Sequence, residues 1–379
     1  KFDLLYQLCE QQLSQQKQYD FGLRSMLPVL KLAGARKRNC VQQNLAETEE
    51  SILVKTLSAI NLPRLVEEDE VLFKALLADF FNPNMSVAAE KKAEQWSLPD
   101  TKGTSKEDIM QGIVQHNVRQ FAERKRLVAT PAWLSTVMQL HDTQSTRHGT
   151  MVIGKARVGK SLALEALRDA LASSQKAMQD SSKPNVRRRH SHGHRRGGNP
   201  STTLSRPVQR RYLQCRMFPK AISTAEMFGE TDHASGEWIE GVFAALWGKY
   251  NQRGRRDVAW ICCDGPIDSQ WIENLNTVLD DSKILTLANG DRIPMTENVK
   301  LFFESEDLDH ASPATVSRCG VVYVSEGTTT WRTLVDGWCL GRQSDEERQI
   351  LKDLFDRYFG DEVPEVPRPG TRPEASMTR

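Results

Sequence analysis

Between Thr150 and Ala170 the chain passes from a short apolar stretch through a glycine-bounded loop into helical spacing, and few folds accommodate that order. Thr150-Met151-Val152-Ile153 reads as a short buried strand. Gly154-Lys155-Ala156-Arg157-Val158-Gly159-Lys160-Ser161 satisfies G-x-x-x-x-G-K-[ST], and Leu162, Leu164, Ala166, Leu167 and Ala170 then recur at helical steps. The glycines let successive backbone N–H groups turn inward around a phosphate. A helix starting near Gly159 adds the positive end of its dipole. Gly154 and Gly159 therefore frame a phosphate cradle, Lys160 reaches the β and γ phosphates of ATP, and Ser161 ligates Mg2+. Arg157 and Val158 are bulky for such a loop.

A metal held this way needs a second acid at the end of a buried strand. Val258-Ala259-Trp260-Ile261-Cys262-Cys263 is a continuous apolar run, the mark of a parallel strand covered on both faces, and Asp264 ends it. Asp264 is the second Mg2+ candidate. The competing reading has it open a turn with Gly265.

Other segments fill in an α/β pattern. Phe2 to Leu32 is helical in period, broken by Tyr19-Asp20-Phe21-Gly22, and a second helical block runs from Glu47 to about Phe81, ended by Asn82-Pro83-Asn84. Helical pieces follow at Ile109 to Phe121 and Trp133 to Leu140. Structure resumes at Tyr212 to Met217, and Trp238 to Trp247 and Trp271 to Leu279 read as helices. Ile284 to Leu287 and Arg292 to Met295, joined through Asn289-Gly290-Asp291, signal a hairpin. Val299 to Phe303 and Val321 to Val324 are further strands. Strands alternating with helices predict a parallel sheet flanked by helices. The tail after Gly360 is Pro-rich and charged, a composition that frays.

Charge and cysteines narrow the class. The net charge is +2, but Lys183 to Arg211 holds nine basic residues and no acid, so taking nine from +2 leaves the rest of the chain at −7. Most of that segment lies in a low-complexity stretch, 173–209, rich in Ser, Arg, His, Gly and Pro. It reads as a solvated loop; docking to acidic partners is the sharper alternative, and without interleaved aromatics it has no platform for stacking on bases. The seven cysteines form no CxxC pair and fit a reducing compartment. No apolar run approaches eighteen residues, so no membrane is expected as a partner, and the missing aromatics set nucleic acid aside as well. The chain opens on Lys1, which suggests a piece of a longer chain.

Several stretches resemble the motor region of dynein heavy chains. They are Tyr19-Asp20-Phe21-Gly22-Leu23-Arg24, the loop at 154–161, Phe218-Pro219-Lys220-Ala221-Ile222, Met227-Phe228-Gly229, Trp271 to Asp281, Leu285 to Met295, and Ser312-Pro313-Ala314-Thr315-Val316-Ser317-Arg318. The Ala288-Asn289-Gly290-Asp291-Arg292-Ile293-Pro294-Met295 form is similar to axonemal outer-arm chains. The resemblance implies a P-loop AAA+ module with a parallel sheet and flanking helices, preceded by an α-helical lid subdomain. It divides the chain into residues 1–56, the helical lid of a preceding first module; 57–145, a helical connector and the start of the second; 146–326, the P-loop core with its basic insert at 173–209; and 327–379, the start of the following lid or linker and the tail.

In that family the first module hydrolyses ATP to drive movement along microtubules, and the second binds ATP with little turnover. Active AAA+ sites carry a glutamate after the strand-end aspartate; here Gly265 follows Asp264, and glycine cannot polarise water. Asp268 lies three residues on. Glu304 stands where an active site has a polar sensor. Arg24 matches the lid arginine of the first module, and Arg318 matches the position that faces a neighbouring module's nucleotide, where a guanidinium stabilises γ-phosphate charge. The plainer readings are a surface helix arginine for Arg24 and a structural ion pair for Arg318. Implied partners are the other AAA+ modules of the same heavy chain, intermediate and light chains, and microtubules, in the axoneme of a cilium or flagellum. An independent active AAA+ ATPase would need an acid after Asp264. A scaffold module with an empty site would purify without nucleotide.

Overall fold

The computed structural model describes residues 1–43, 47–81, 106–181, 210–342 and 344–360. Its first part is helical: α1 Phe2–Gln12, α2 Leu23–Gln42, α3 Glu49–Asn61 and α4 Glu67–Phe80. Thr48 caps α3 by accepting from the Ser51 N–H, and two glutamates follow in the first turn. These helices share one core of Leu5, Tyr6, Cys9, Val29, Leu57, Phe73, Leu77 and Phe81. The packing thus continues past residue 56, where the sequence divided the chain.

After α5 Lys106–Lys125 and α6 Pro131–Thr146, the chain enters the sheet with β1 Gly149–Ile153, followed by α7 Lys160–Ser181 and β2 Tyr212–Met217. Next come α8 Thr224–Phe228, the short strands β3 Gly229–Thr231 and β4 Trp238–Glu240, α9 Val242–Tyr250 and β5 Val258–Asp264. The helical turns α10 Ser269–Ile272 and α11 Asn276–Leu279 precede the hairpin β6 Ile284–Thr286 and β7 Arg292–Pro294, then β8 Val299–Ser305. The last elements are α12 Pro313–Arg318, β9 Gly320–Tyr323, α13 Trp331–Cys339 and α14 Asp345–Phe359.

Five strands form one parallel sheet in the order β2-β5-β8-β1-β9. The run Val258 to Cys263 is central and buried on both faces, as its unbroken apolarity requires. Side chains alternate between two cores. Val152, Trp260, Cys262, Phe302 and Val322 meet α5, α6 and α7 on one face. Met151, Ile153, Ile261, Cys263, Leu301 and Phe303 meet Phe243, Trp247 and Leu275 on the other. The expected α/β architecture with a helical unit before it is the observed one.

Three local expectations need correction. Trp238 to Trp247 is not one helix: Trp238–Glu240 is a strand paired with Gly229–Thr231, and the helix starts at Val242. Gly241 permits this, because a Cβ there would lie 2.4 Å from the Met227 carbonyl oxygen and the Gly229 nitrogen. Trp271 to Leu279 is helical only in short turns, with a 3-10 segment at Glu273–Leu275 between α10 and α11. Finally, α7 runs to Ser181, past the expected start of the low-complexity stretch at Ser173. Ser174 is fully buried and accepts a hydrogen bond from Asn117 Nδ2 (2.8 Å), which fixes this turn against α5. The expected helix stop at Asn82-Pro83-Asn84, most of the basic insert and the tail lie outside the described residues.

Candidate nucleotide site

The loop at the end of β1 adopts a phosphate-cradle geometry. Gly154 has φ +152° and Gly159 φ +96°. A Cβ on Gly154 would lie 2.3 Å from the Val324 carbonyl oxygen, so the loop passes against the end of β9 only because glycine is there. Arg157 also takes a left-handed φ, +69°, with its side chain exposed, while Val158 turns inward to the core. The bulk at these two positions is therefore accommodated, at a backbone cost of about 1 kcal/mol for Arg157.

Lys160 opens α7 and folds back over its own loop. Its ammonium donates to the Lys155 carbonyl (2.8 Å) and to the Gly154 carbonyl. Burial lowers its pKa, against the pull of Glu306, Glu304 and Asp264. Both described acceptors are neutral, so the charge is available to an anion entering the cradle.

Asp264 and Glu304 are Cα partners on β5 and β8, and Glu304 is only 2% exposed. A residue that the sequence reading missed ties them together. Arg216, on β2, donates through Nη1 to Asp264 Oδ2 (2.7 Å) and Ser161 Oγ (3.2 Å), and through Nη2 to Glu304 Oε1 (2.7 Å). Ser161 Oγ in turn donates to Glu304 Oε2. Burial raises the Glu304 pKa, opposed by the Ser161 hydrogen bond and the Arg216 charge. Beside this knot lies a cleft of about 410 Å³ lined by Ser161, Leu162, Glu165, Arg168, Gln214 and Arg216.

Gly265, and not an acid, follows Asp264, and the next carboxylate along the chain is Asp268. Gly265 has φ +132° and donates its N–H to the Glu304 carbonyl (2.9 Å). Asp268 is committed to capping α10, accepting from the Gln270 N–H (3.0 Å).

A second feature also lay beyond the sequence motifs. A small slot of about 20 Å³ beside the loop is walled by Leu127, Val128, Trp133, Leu162, Thr328 and Leu334. The indole N–H of Trp133 is buried without an acceptor among the described residues. Lys155 of the loop pairs with Glu326, just before this wall.

The two remaining arginines lie together, away from the loop. Arg318 donates through Nε to Asp280 Oδ1 (2.6 Å) and through Nη1 to the Ala314 carbonyl (2.9 Å). Arg24 donates to Ser317 Oγ (2.9 Å), so the helical unit and the sheet domain bring the pair to one place.

The sheet order, the glycine loop after the first strand and the acid ending β5 define a nucleotide-binding P-loop module of the AAA+ class. Residues 1–161 match the model of the hydrolytic ATP binding site of the dynein motor region, and residues 201–319 match the AAA domain of the dynein-related subfamily. The chain is 39% identical over 362 residues to mouse (Mus musculus) dynein axonemal heavy chain 5, covering 95% of this chain and 6% of that one. It is 36% identical to human (Homo sapiens) dynein axonemal heavy chain 8, covering 95% and 7%, and 37% identical to the dynein gamma chain of the flagellar outer arm of Chlamydomonas reinhardtii, also covering 95% and 7%. The chain belongs to the dynein heavy chain family, and it spans less than a tenth of the length of these relatives. Neither family model covers 162–200, which holds much of the basic stretch.

Proposed function

We propose that this chain contains the second, ATP-binding module of an axonemal dynein motor, with residues 1–56 belonging to the lid of the module before it. Gly154, Gly159 and Lys160 hold the phosphates. Ser161 and Asp264 stand where a Mg2+ would be held, and both are already engaged by Arg216. The module binds ATP and turns it over slowly. One observation carries this: the residue after Asp264 is a glycine in a backbone conformation that side chains avoid, so no base is held against an attacking water.

Its contribution to movement is through its neighbour. Arg318 and Arg24 act on the ATP of the preceding module, from a position where Asp280 and Ser317 already orient them. The motor works in the axoneme of a cilium or flagellum, with the other AAA+ modules of its heavy chain, intermediate and light chains, and microtubules as partners. Nucleotide content after purification, followed by single-turnover ATP hydrolysis, tests the reading. Retained ATP with slow turnover supports it. Rapid turnover by this module alone overturns the slow-hydrolysis part, and failure to bind nucleotide overturns the whole.

A further inference from the structure

We infer that Arg216 is an internal counter-ion that takes the place of Mg2+, so that this module binds nucleotide without needing the metal. The inference rests on the nucleotide-binding reading above. Three oxygen groups converge where a metal would be expected: Ser161 Oγ, the Asp264 carboxylate and the Glu304 carboxylate. One guanidinium reaches all three, at 3.2, 2.7 and 2.7 Å.

The charge balance points the same way. Arg216 contacts the Asp264 and Glu304 carboxylates directly, and Lys160 feels both as well as Glu306, so most of the negative charge that a divalent cation would meet is already compensated. Guanidinium does not lose its proton in this setting. A metal entering beside Ser161 and Asp264 would meet a fixed positive charge within a few ångströms and would have to displace it from the nearly buried Glu304.

Arg216 also has donors to spare. Of the five N–H groups of a guanidinium, the hydrogen bonds to Asp264, Ser161 and Glu304 use three. The side chain is 31% exposed and lines the open cleft beside Ser161, so a phosphate oxygen can reach it without the knot being undone. Planar N–H pairs suit phosphate oxygens, and the resulting contact does for the triphosphate what a metal does elsewhere.

The test is calorimetric titration of the 379-residue chain with ATP, in excess Mg2+ and in EDTA. The wild-type affinity should differ by less than about threefold between the two buffers. In Arg216→Met, affinity in EDTA should fall by about tenfold or more and recover with Mg2+, because the Asp264 and Glu304 carboxylates then lose the guanidinium they share. Arg216→Lys, which keeps the charge and is the better-tolerated change, should show an intermediate metal requirement. Wild-type binding that collapses in EDTA and returns with Mg2+ overturns this inference alone. The same holds if both variants bind equally well in the two buffers. Absence of binding by the wild type in either buffer overturns the nucleotide reading as well.

Discussion

Asp264 and Glu304 stand opposite each other on neighbouring parallel strands, and a single guanidinium from the sheet's edge strand holds both carboxylates. Like charges directly across a strand pair repel. Here the repulsion is turned into a three-body contact whose middle member comes from β2. Arg216→Ala should therefore destabilise the chain by about 2–3 kcal/mol, since it leaves a buried carboxylate unpaired. Glu304→Gln in the same background should recover part of that loss. Urea unfolding of the wild type, the two single variants and the double variant measures the coupling, and strict additivity would show the contact to be unimportant for stability.

Lys160→Ala should remove most of the ATP affinity. The backbone N–H groups of the loop and the N-terminal end of α7 remain, so weak binding persists. Calorimetry with ATP checks it, and an unchanged affinity would remove the loop at 154–161 from the site.

Gly265→Glu supplies the acid that active relatives of this class carry, yet it should yield little turnover. The φ of +132° at this position is a glycine conformation, and any side chain there costs about 1–3 kcal/mol. There is open space around the would-be Cβ, so the penalty lies in the backbone and not in a clash. Thermal melting should show the loss of stability, and single-turnover ATPase the absence of a large gain. A large gain would mean that the missing base alone silences the site.

Arg318→Ala in a heavy chain that carries the preceding module should depress that module's ATP turnover by about 10³ where the γ-phosphate is desolvated. Asp280→Asn is the informative companion. It leaves Arg318 in place but weakens the contact that orients it. A smaller fall in turnover with unchanged nucleotide retention at Lys160 is expected. If Arg318→Ala leaves turnover intact, the Asp280 pair is a structural contact and nothing more.

His148 makes the stability of the sheet domain sensitive to acid. Burial, with Lys283, Lys300 and Arg147 nearby and only Asp281 opposing them, holds its pKa down at about 4. The folded state keeps the imidazole neutral, whereas the unfolded chain protonates it near 6.5. The unfolded state therefore binds more protons in this window, and stability falls as pH drops from about 6.5 toward 4. His148→Gln should flatten that part of the profile, seen as a smaller difference between melting temperatures at pH 7 and pH 5.

Sheet strands with strong internal patterns were legible in the sequence. Thr150 to Ile153, Val258 to Cys263 and Val299 to Phe303 are mostly apolar stretches of strand length, and each is a largely buried parallel strand here. Asp264 stands out in the sequence because it ends such a run. Arg216 was not, because Tyr212 to Met217 carries no motif. The available signal was weak: Gln214 and Arg216, two residues apart, had to share one face of a strand, and both line the cleft beside Ser161. The β3–β4 pair escaped for another reason. Three-residue strands have no measurable period, and Trp238 to Trp247 offers enough apolar residues to imitate a helix. The slot at Leu127 to Trp133 is assembled from segments some two hundred residues apart, Thr130 Oγ1 donating to the Thr328 carbonyl (3.4 Å), which no local pattern encodes.

The helix before the basic stretch and the strand after it are clasped together: Gln175 Nε2, in α7, donates to the hydroxyl of Tyr212, the first residue of β2 (3.0 Å). A loop hung on such a clasp can double in length for only about 0.6 kcal/mol of closure entropy. Evolution is therefore free to write almost any message at this place, long or short, basic or neutral, while the grip of Lys160 and the hold of Arg216, one on either side of it, stay as they are.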